Sequence, residues 1–311
     1  MNNIIPGGIE MNKSPSKYFV FLGLFFTSTS SIFVRSIDAP SLTIASYRLL
    51  AGTLFMMVPF LRNWSRKGTT LDREGFFLSV VSGIFLAGHF ATWISSLEYT
   101  TVSSSTVLVA LSPIFVAFFN FIVLKERLKR IQTIGILVSI AGAVIISAGD
   151  IAVSGEALFG DFLAFMGAVF VAGYLLIGKK VRKYLTLSDY AFVTYASAAV
   201  TLFVLAVIMK TDLSPGGPTQ LSVMFLHGII CSGLGHTTYN WMLQHVSSTY
   251  VSTVTLGEPV FASILAFLIL RETPSLQTVA GGMIVIAGLY VFVKSPDLSG
   301  MISGKKYEKT N

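Results

Sequence analysis

The sequence predicts an all-α membrane protein in which ten transmembrane helices form two inverted five-helix repeats. Of its 311 residues, 53% are hydrophobic and only 12% are charged, whereas soluble domains carry about 25% charged residues. The apolar residues gather in runs of roughly 17–25 residues, the length that crosses a bilayer as a helix. A segment of the second half also repeats a segment of the first half. These three observations together predict a duplicated bundle of membrane-spanning helices.

The apolar runs are continuous, which favours helices over the short alternating strands of a membrane β-barrel. The flanking residues 1–17 and 295–311 are predicted to be tails, and residues 149–159 a linker between the halves. The ten predicted spans are residues 18–34, 40–61, 75–97, 101–124, 131–148, 160–178, 188–209, 220–243, 247–270 and 275–294.

The internal repeat has an offset of 146 positions, which brings residues 97–146 onto residues 243–292 without a gap. Nine of the thirty positions from Pro113 to Gly142 are identical in the two copies. Solenoid repeats are much shorter, roughly 20–50 residues, whereas many secondary transporters consist of two related halves. We therefore predict one repeat over residues 18–148 and a second over residues 160–294.

The distribution of Lys and Arg predicts the orientation of the spans. With the N-terminus in the cytoplasm, 18 of the 22 basic residues lie in cytoplasmic segments, three lie in outer segments, and Arg48 lies within a span. Both termini are therefore predicted to be cytoplasmic, in the cell membrane, with the 149–159 linker outside. Because each repeat has five spans, the second repeat enters the membrane from the opposite side, which makes the repeat inverted.

Prolines mark the expected binding region. Pro113 and Pro259 lie near the middle of the fourth and ninth spans, at matching positions of the two repeats. Proline removes a backbone donor and clashes with the preceding turn, so each helix is expected to kink or open there. Helices interrupted at matching positions indicate a transporter binding site, and the alternative is a kink that only shapes packing.

Two charged residues lie well inside predicted spans, away from the span ends. Glu258 directly precedes Pro259, and its counterpart in the first repeat is Ser112. A carboxylate at this depth is costly and indicates a function, here cation binding or proton transport. The alternative is a structural acid that pairs with Arg48 or bonds another helix. Arg48 either attracts an anionic substrate group or holds a neighbouring helix.

Aromatic residues and histidines form a second group of candidates. His89 and Trp93 share one face of the third span because they lie four residues apart. In the eighth span, one face is shared by His236, Tyr239 and Asn240. In inverted halves the first pair is expected toward the outside and the second toward the inside, as two gates or the two ends of a pocket. The alternative for each histidine is a buried ring bonded to a backbone carbonyl. The predicted substrate-binding residues are Trp93, His89, Tyr239, His236, Asn240, Glu258 and Tyr174.

These features resemble the drug/metabolite transporter superfamily, specifically its EamA-type members. The resemblance rests on Ala45–Arg48, on Gly235–Trp241, on Leu256–Pro259, and on the paired prolines, and it covers residues 17–295. It implies ten helices, alternating access, and a central cavity lined by spans 1, 3, 4, 6, 8 and 9. It also implies transport of amino acids, other metabolites or drugs, commonly outward, and favours a helix-holding role for Arg48.

The leading functional prediction is a secondary transporter of small polar or amphipathic metabolites. Within transport, the alternatives are a drug or organic-cation exporter and a sugar-phosphate carrier, which would need several cationic groups. An intramembrane enzyme is disfavoured because the sequence lacks a nucleophile elbow and a His-Glu-x-x-His motif. A single cysteine, Cys231, excludes a cysteine-cluster metal site. No cofactor, metal or nucleic-acid partner is expected.

Glycines in the fifth and tenth spans predict close helix contacts. Gly135 and Gly142, and their counterparts Gly281 and Gly288, are spaced two turns apart on one face of each helix. Small residues at such positions let helices approach closely. The predicted assembly states are a homodimer through these faces or a monomer, in contact with lipid.

Overall fold

Every regular element in the computed structural model is a helix over the residues that it describes, which are 16–100, 102–124, 128–147, 155–270 and 276–294. The all-α prediction is therefore confirmed. The repeat predicts that the loop with Lys125–Glu126 lies inside the cell and that its counterpart, Arg271–Glu272, lies outside. Both loops, and most of both tails, fall outside the described residues.

The first half of the chain begins with a 3-10 turn, Lys17–Phe19, and continues through seven α-helices and one π-helical segment. The elements in order are α1 (Val20–Ser28), α2 (Ser30–Arg35), α3 (Ser41–Lys67), α4 (Arg73–Tyr99), α5 (Val102–Val109), α6 (Ser112–Phe119), the π-helix Asn120–Leu124, and α7 (Arg130–Ser147).

In the second half, one long helix, α8, stands where the first half has α1 and α2. The elements of this half are α8 (Gly155–Val181), α9 (Leu187–Ile208), α10 (Pro218–His227), the π-helix Gly228–His236, α11 (Thr237–Met242), α12 (Ser248–Thr255), α13 (Glu258–Leu265), the π-helix Ala266–Leu270, and α14 (Leu276–Lys294).

Local sequence explains where several of these helices start. Asp72, Thr186 and Ser247 stand before α4, α9 and α12, and each side chain accepts a hydrogen bond from the backbone N–H three residues later. Such N-caps satisfy donors that a helix start leaves free. The helices lie close to the predicted spans, and the largest differences are that α8 begins at Gly155, before the predicted start at residue 160, and that α3 ends at Lys67, beyond the predicted end at residue 61.

The 146-residue offset of the sequence reappears in the helix boundaries. Shifted by that offset, the starts of α3, α5, α6 and α7 coincide with the starts of α9, α12, α13 and α14. The π-helices Asn120–Leu124 and Ala266–Leu270 correspond in the same way. The duplication therefore extends to the positions at which the helices break.

Equivalent helices of the two halves pack against each other in antiparallel fashion. The start of α3 meets the end of α9, where Thr43 Oγ1 donates to the Asp212 carbonyl at 2.6 Å. The end of α3 meets the start of α9, where Asn63 Nδ2 lies 3.5 Å from Thr186 Oγ1. Contacts between non-equivalent helices also join the two halves. In these contacts α4 packs on α8, and α1 packs on α11 and on the Gly228–His236 π-helix.

The glycine faces of α7 and α14 also meet within the chain. A methyl group at Gly135 would come within 2.9 Å of the Gly288 carbonyl oxygen, and one at Gly142 within 2.7 Å of the Gly281 carbonyl oxygen. Close approach of the two backbones therefore requires glycine here. The glycine faces are already covered by each other, so they provide no surface for the predicted homodimer.

Six helices among the described residues are long and apolar enough to cross a membrane: Lys17–Arg35, Ser41–Arg66, Arg73–Tyr99, Glu156–Val181, Leu187–Ile208 and Ser248–Ile269. Three shorter apolar helices, Ser112–Val123, Arg130–Ile145 and Val279–Lys294, accompany them. Many large apolar side chains on these helices are exposed, as expected for a protein whose outer surface contacts lipid.

Candidate functional site

Two matched helix breaks open the centre of the bundle. The first separates α5 from α6 between Val109 and Ser112, and the second separates α12 from α13 between Thr255 and Glu258. Pro113 and Pro259 follow these breaks and cannot donate to the carbonyl four residues earlier. Those carbonyls belong to Val109 and Thr255, so each break frees one backbone acceptor.

The four residues that flank the breaks line a central cavity. Its walls come from the six spans that the family resemblance implies and also from α3, through Arg48. The lining residues are Thr27, Ser30, Arg48, His89, Phe90, Trp93, Val109, Ser112, Val171, Tyr174, Leu175, His236, Tyr239, Thr255 and Glu258.

Arg48 is buried in the wall with only 1% of its surface exposed. Its Nη1 donates to Ser30 Oγ and its Nε donates to Ser232 Oγ, both at 2.9 Å. Its guanidinium carbon lies 4.0 Å from the centre of the Phe90 ring, which is a favourable cation–π contact. Arg48 thus holds α2 and the Gly228–His236 π-helix, and it also faces the cavity.

Glu258 is held by two hydroxyl groups. Thr27 Oγ1 donates to Glu258 Oε1 at 2.7 Å, and Tyr239 Oη donates to the same oxygen at 3.4 Å. The Thr27 and Tyr239 hydroxyls also lie 2.9 Å apart. The structure therefore links the ninth span to the first and eighth spans at this carboxylate. These are the bonds to other helices that the structural alternative allowed, and among the described residues Glu258 forms no ion pair with Arg48.

The histidines lie together instead of at two separate gates. The rings of His89 and His236 are 6.5 Å apart, and His89 stacks parallel to Trp93 with 6.1 Å between ring centres. His89 Nδ1 donates to the Gly167 carbonyl at 3.0 Å, while the buried His236 Nδ1 has no partner among the described residues. The two histidine rings are therefore neighbours in one cavity, and the bond from His89 to Gly167 is the backbone-carbonyl partner that the structural alternative expects for that histidine.

Asn240 lies behind the cavity wall. Its amide oxygen accepts a hydrogen bond from the hydroxyl of the lining residue Tyr174, and its Nδ2 donates to Tyr195 Oη at 3.2 Å. It is fully buried and is not among the lining residues. In this structure Asn240 thus supports Tyr174, and it does not take the substrate-contacting position predicted from the helix face that it shares with His236.

The EamA-like transporter family matches the chain twice, over residues 16–148 and 158–294. The chain belongs to the EamA-like transporter family. The resemblance found in the sequence is thereby confirmed. Members of this family are transporters and not enzymes, and the chain is a multi-pass membrane protein.

Several relatives of this EamA-family chain are similar over most of its length. An uncharacterized transporter of Archaeoglobus fulgidus is 28% identical over 254 residues, which are 80% of this chain and 86% of the relative. The pseudopaline exporter CntI of Pseudomonas aeruginosa is 25% identical over 267 residues, which are 85% and 91% of the two chains. A solved crystal structure superposes with a TM-score of 0.74 at 17% identity, covering 88% of this chain and 95% of that chain.

The EamA-family fold also reveals contacts that the sequence did not single out. Thr27 and Ser30 carry no charge and stand in an ordinary apolar helix, yet they bond the two charged residues of the cavity. Asn120 donates to Ser248 Oγ at 3.0 Å and to Thr249 Oγ1 at 2.9 Å. The hydroxyl-rich start of the ninth span therefore bonds a buried amide of the fourth span.

Proposed function

We propose that this chain is a secondary transporter that exports small polar or amphipathic metabolites, amino acids among them, across the cell membrane by alternating access. The observation that carries the proposal is the central cavity, which is lined by both halves at two matched helix breaks. Broken helices at corresponding positions are the usual construction of a transporter's substrate site. Outward transport is supported by the similarity to the exporter CntI.

The transport cycle that we propose uses ten spans in two inverted repeats. The shared helix boundaries and the antiparallel packing of equivalent helices support a two-fold axis in the membrane plane. Such symmetry lets the two halves exchange conformations, so that a cavity open to one side becomes open to the other. Both termini are proposed to lie in the cytoplasm.

The residues that line the cavity distinguish between the alternative classes of substrate. A sugar-phosphate carrier would place several cations around a phosphate group, whereas Arg48 is the only Lys or Arg among the described lining residues. An organic-cation exporter would use Glu258 and the aromatic wall but would gain nothing from Arg48. The lining therefore favours substrates that carry both polar and apolar groups.

Loss of the aromatic wall should slow transport. In reconstituted vesicles screened with labelled amino acids, Trp93→Ala and Tyr239→Ala should each reduce flux about 10-fold, since aromatic contacts of roughly 1 kcal/mol or more are removed. Trp64→Ala and Tyr290→Ala are matched controls, because these side chains are 55% and 64% exposed. Full activity of both cavity variants would exclude this cavity as the substrate site.

The proposed orientation can be checked by cysteine labelling in intact cells. The native Cys231 is buried, so its background labelling should be low. A cysteine at Lys183, between α8 and α9, should be protected from an impermeant maleimide, and one at Ser214, between α9 and α10, should react. The reverse pattern would invert the topology.

A further inference from the structure

We infer that the C-terminal end of α3 binds an anionic phospholipid, with Arg62 and Arg66 holding the phosphate group and the exposed apolar face of the helix contacting an acyl chain. Neither arginine lines the central cavity, so the site is independent of the transported molecule. The proposed orientation places this site in the cytoplasmic leaflet.

The length of α3 carries its last turns out of the hydrocarbon layer. The stretch Ser41–Arg66 has 26 residues, which correspond to about 39 Å of helix, whereas the hydrocarbon layer is about 30 Å thick and needs about 20 residues. Trp64, near the end of this stretch, is 55% exposed, and tryptophan is enriched at the boundary between lipid and water. The end of α3 therefore lies at the level of the lipid headgroups.

One face of α3 joins an apolar stripe to the two basic side chains. Phe55 and Val58 are 37% and 49% exposed, and Arg62 and Arg66 are exposed at the following turns. Positions i, i+3 and i+7 share a helix face, and so do positions four apart. A phospholipid along this face contacts the apolar residues with an acyl chain and both arginines with its phosphate group.

The two arginines are available for a ligand, because neither forms a hydrogen bond or an ion pair with a described residue. Acidic side chains at the same end of the bundle have other partners. Glu74 pairs with Lys180 at 3.0 Å, and the buried Asp189 accepts hydrogen bonds from Thr70. Arginine binds phosphate through paired N–H donors, so two free guanidinium groups one turn apart suit a phosphate group.

The equivalent helix of the second half lacks this basic pair. The helices α3 and α9 start at equivalent positions, but α3 has 27 residues and α9 has 22. The counterpart of Arg62 is Ile208, and the counterpart of Arg66 is Asp212. An apolar and an acidic side chain would not attract a phosphate group. The duplicated fold therefore does not require the two arginines, which favours a role in binding.

Lipid titration of the purified full chain in detergent tests this site. Dioleoyl phosphatidylglycerol and dioleoyl phosphatidylcholine share their acyl chains and differ in the charge of the headgroup. Native mass spectrometry counts the bound lipid and gives an apparent Kd for each. We expect phosphatidylglycerol to bind about 10-fold or more tightly than phosphatidylcholine, because two basic residues at the headgroup level both attract the anionic lipid.

Charge-matched variants locate the binding. The double variant Arg62→Gln, Arg66→Gln should bring the two lipids to within about 3-fold of each other. The double lysine variant of the same positions keeps both charges and should retain most of the preference. The control combines Lys183→Gln with Lys210→Gln, which removes two exposed positive charges from other parts of the surface. Unfolding temperatures without added lipid check that each variant is folded.

Several results would overturn the site. Equal affinity of the wild-type protein for both lipids would show that it has no anionic preference, and an unchanged preference in the double glutamine variant would place the binding elsewhere. A loss in the lysine control as large as in the arginine variant would mean diffuse attraction by net charge. Displacement of phosphatidylglycerol by an equal concentration of glycerol 3-phosphate would assign the arginines to a soluble anion instead of a lipid.

Discussion

Replacing Gly288 with alanine should strongly destabilise the protein. The added methyl group would lie 2.5 Å from the Ser139 backbone nitrogen and 2.7 Å from the Gly135 carbonyl oxygen. Backbone atoms cannot turn aside as a side chain can, so α7 and α14 would have to separate along their whole contact. Overpacking of this kind costs about 3 kcal/mol or more. The measurement is the unfolding temperature of the purified protein in detergent, with the monodisperse yield.

The neighbouring glycine of the same helix provides the control. A methyl group at Gly282 would meet only the two γ-carbons of Val260, both at 3.8 Å, which is an ordinary van der Waals distance. Gly282→Ala should therefore leave the unfolding temperature unchanged or raise it slightly, since alanine is the better helix former. Equal losses in the two variants would mean that the α7–α14 contact does not limit stability.

The features of this fold that the sequence predicts depend on local properties of the chain. The bilayer sets the length of each apolar run, and proline breaks a helix at a fixed distance from its own position. Both signals are local, so the helix positions and the breaks near Pro113 and Pro259 could be predicted. The offset of the repeat then located the equivalent breaks without any knowledge of packing.

The unpredictable part depends on which helices meet. Thr27 became important only because α1 packs beside α13, and Ser30 only because α2 packs beside Arg48 of α3. A helix face that residues share in the sequence did not identify which side chains reach the cavity. Asn240 is the example, because the π-helix that precedes it alters the rotation of the residues that follow. Hydroxyl partners of buried charges leave no mark in a single sequence.

Replacing Glu258 with glutamine should abolish transport driven by a pH gradient. Glu258 is the only carboxylate among the described lining residues, and Thr27, Tyr239, Arg48, His89 and His236 face the same cavity. When the substrate has left the cavity, a proton can bind the carboxylate, so that substrate and proton exchange in opposite directions. Glutamine cannot bind a proton in place of the carboxylate, so the pH gradient can no longer drive transport through residue 258.

The measurement is uphill accumulation of a labelled amino acid that the vesicle screen identifies as a substrate, in proteoliposomes with an acidic interior. The wild-type protein should accumulate the label, whereas Glu258→Gln should reach only the level found without a gradient. Self-exchange at saturating substrate should persist in the variant, because exchange needs both conformations but no proton. Gradient-driven accumulation by Glu258→Gln would assign coupling to another group. The first to test is His236, whose Nδ1 has no hydrogen-bond partner among the described residues.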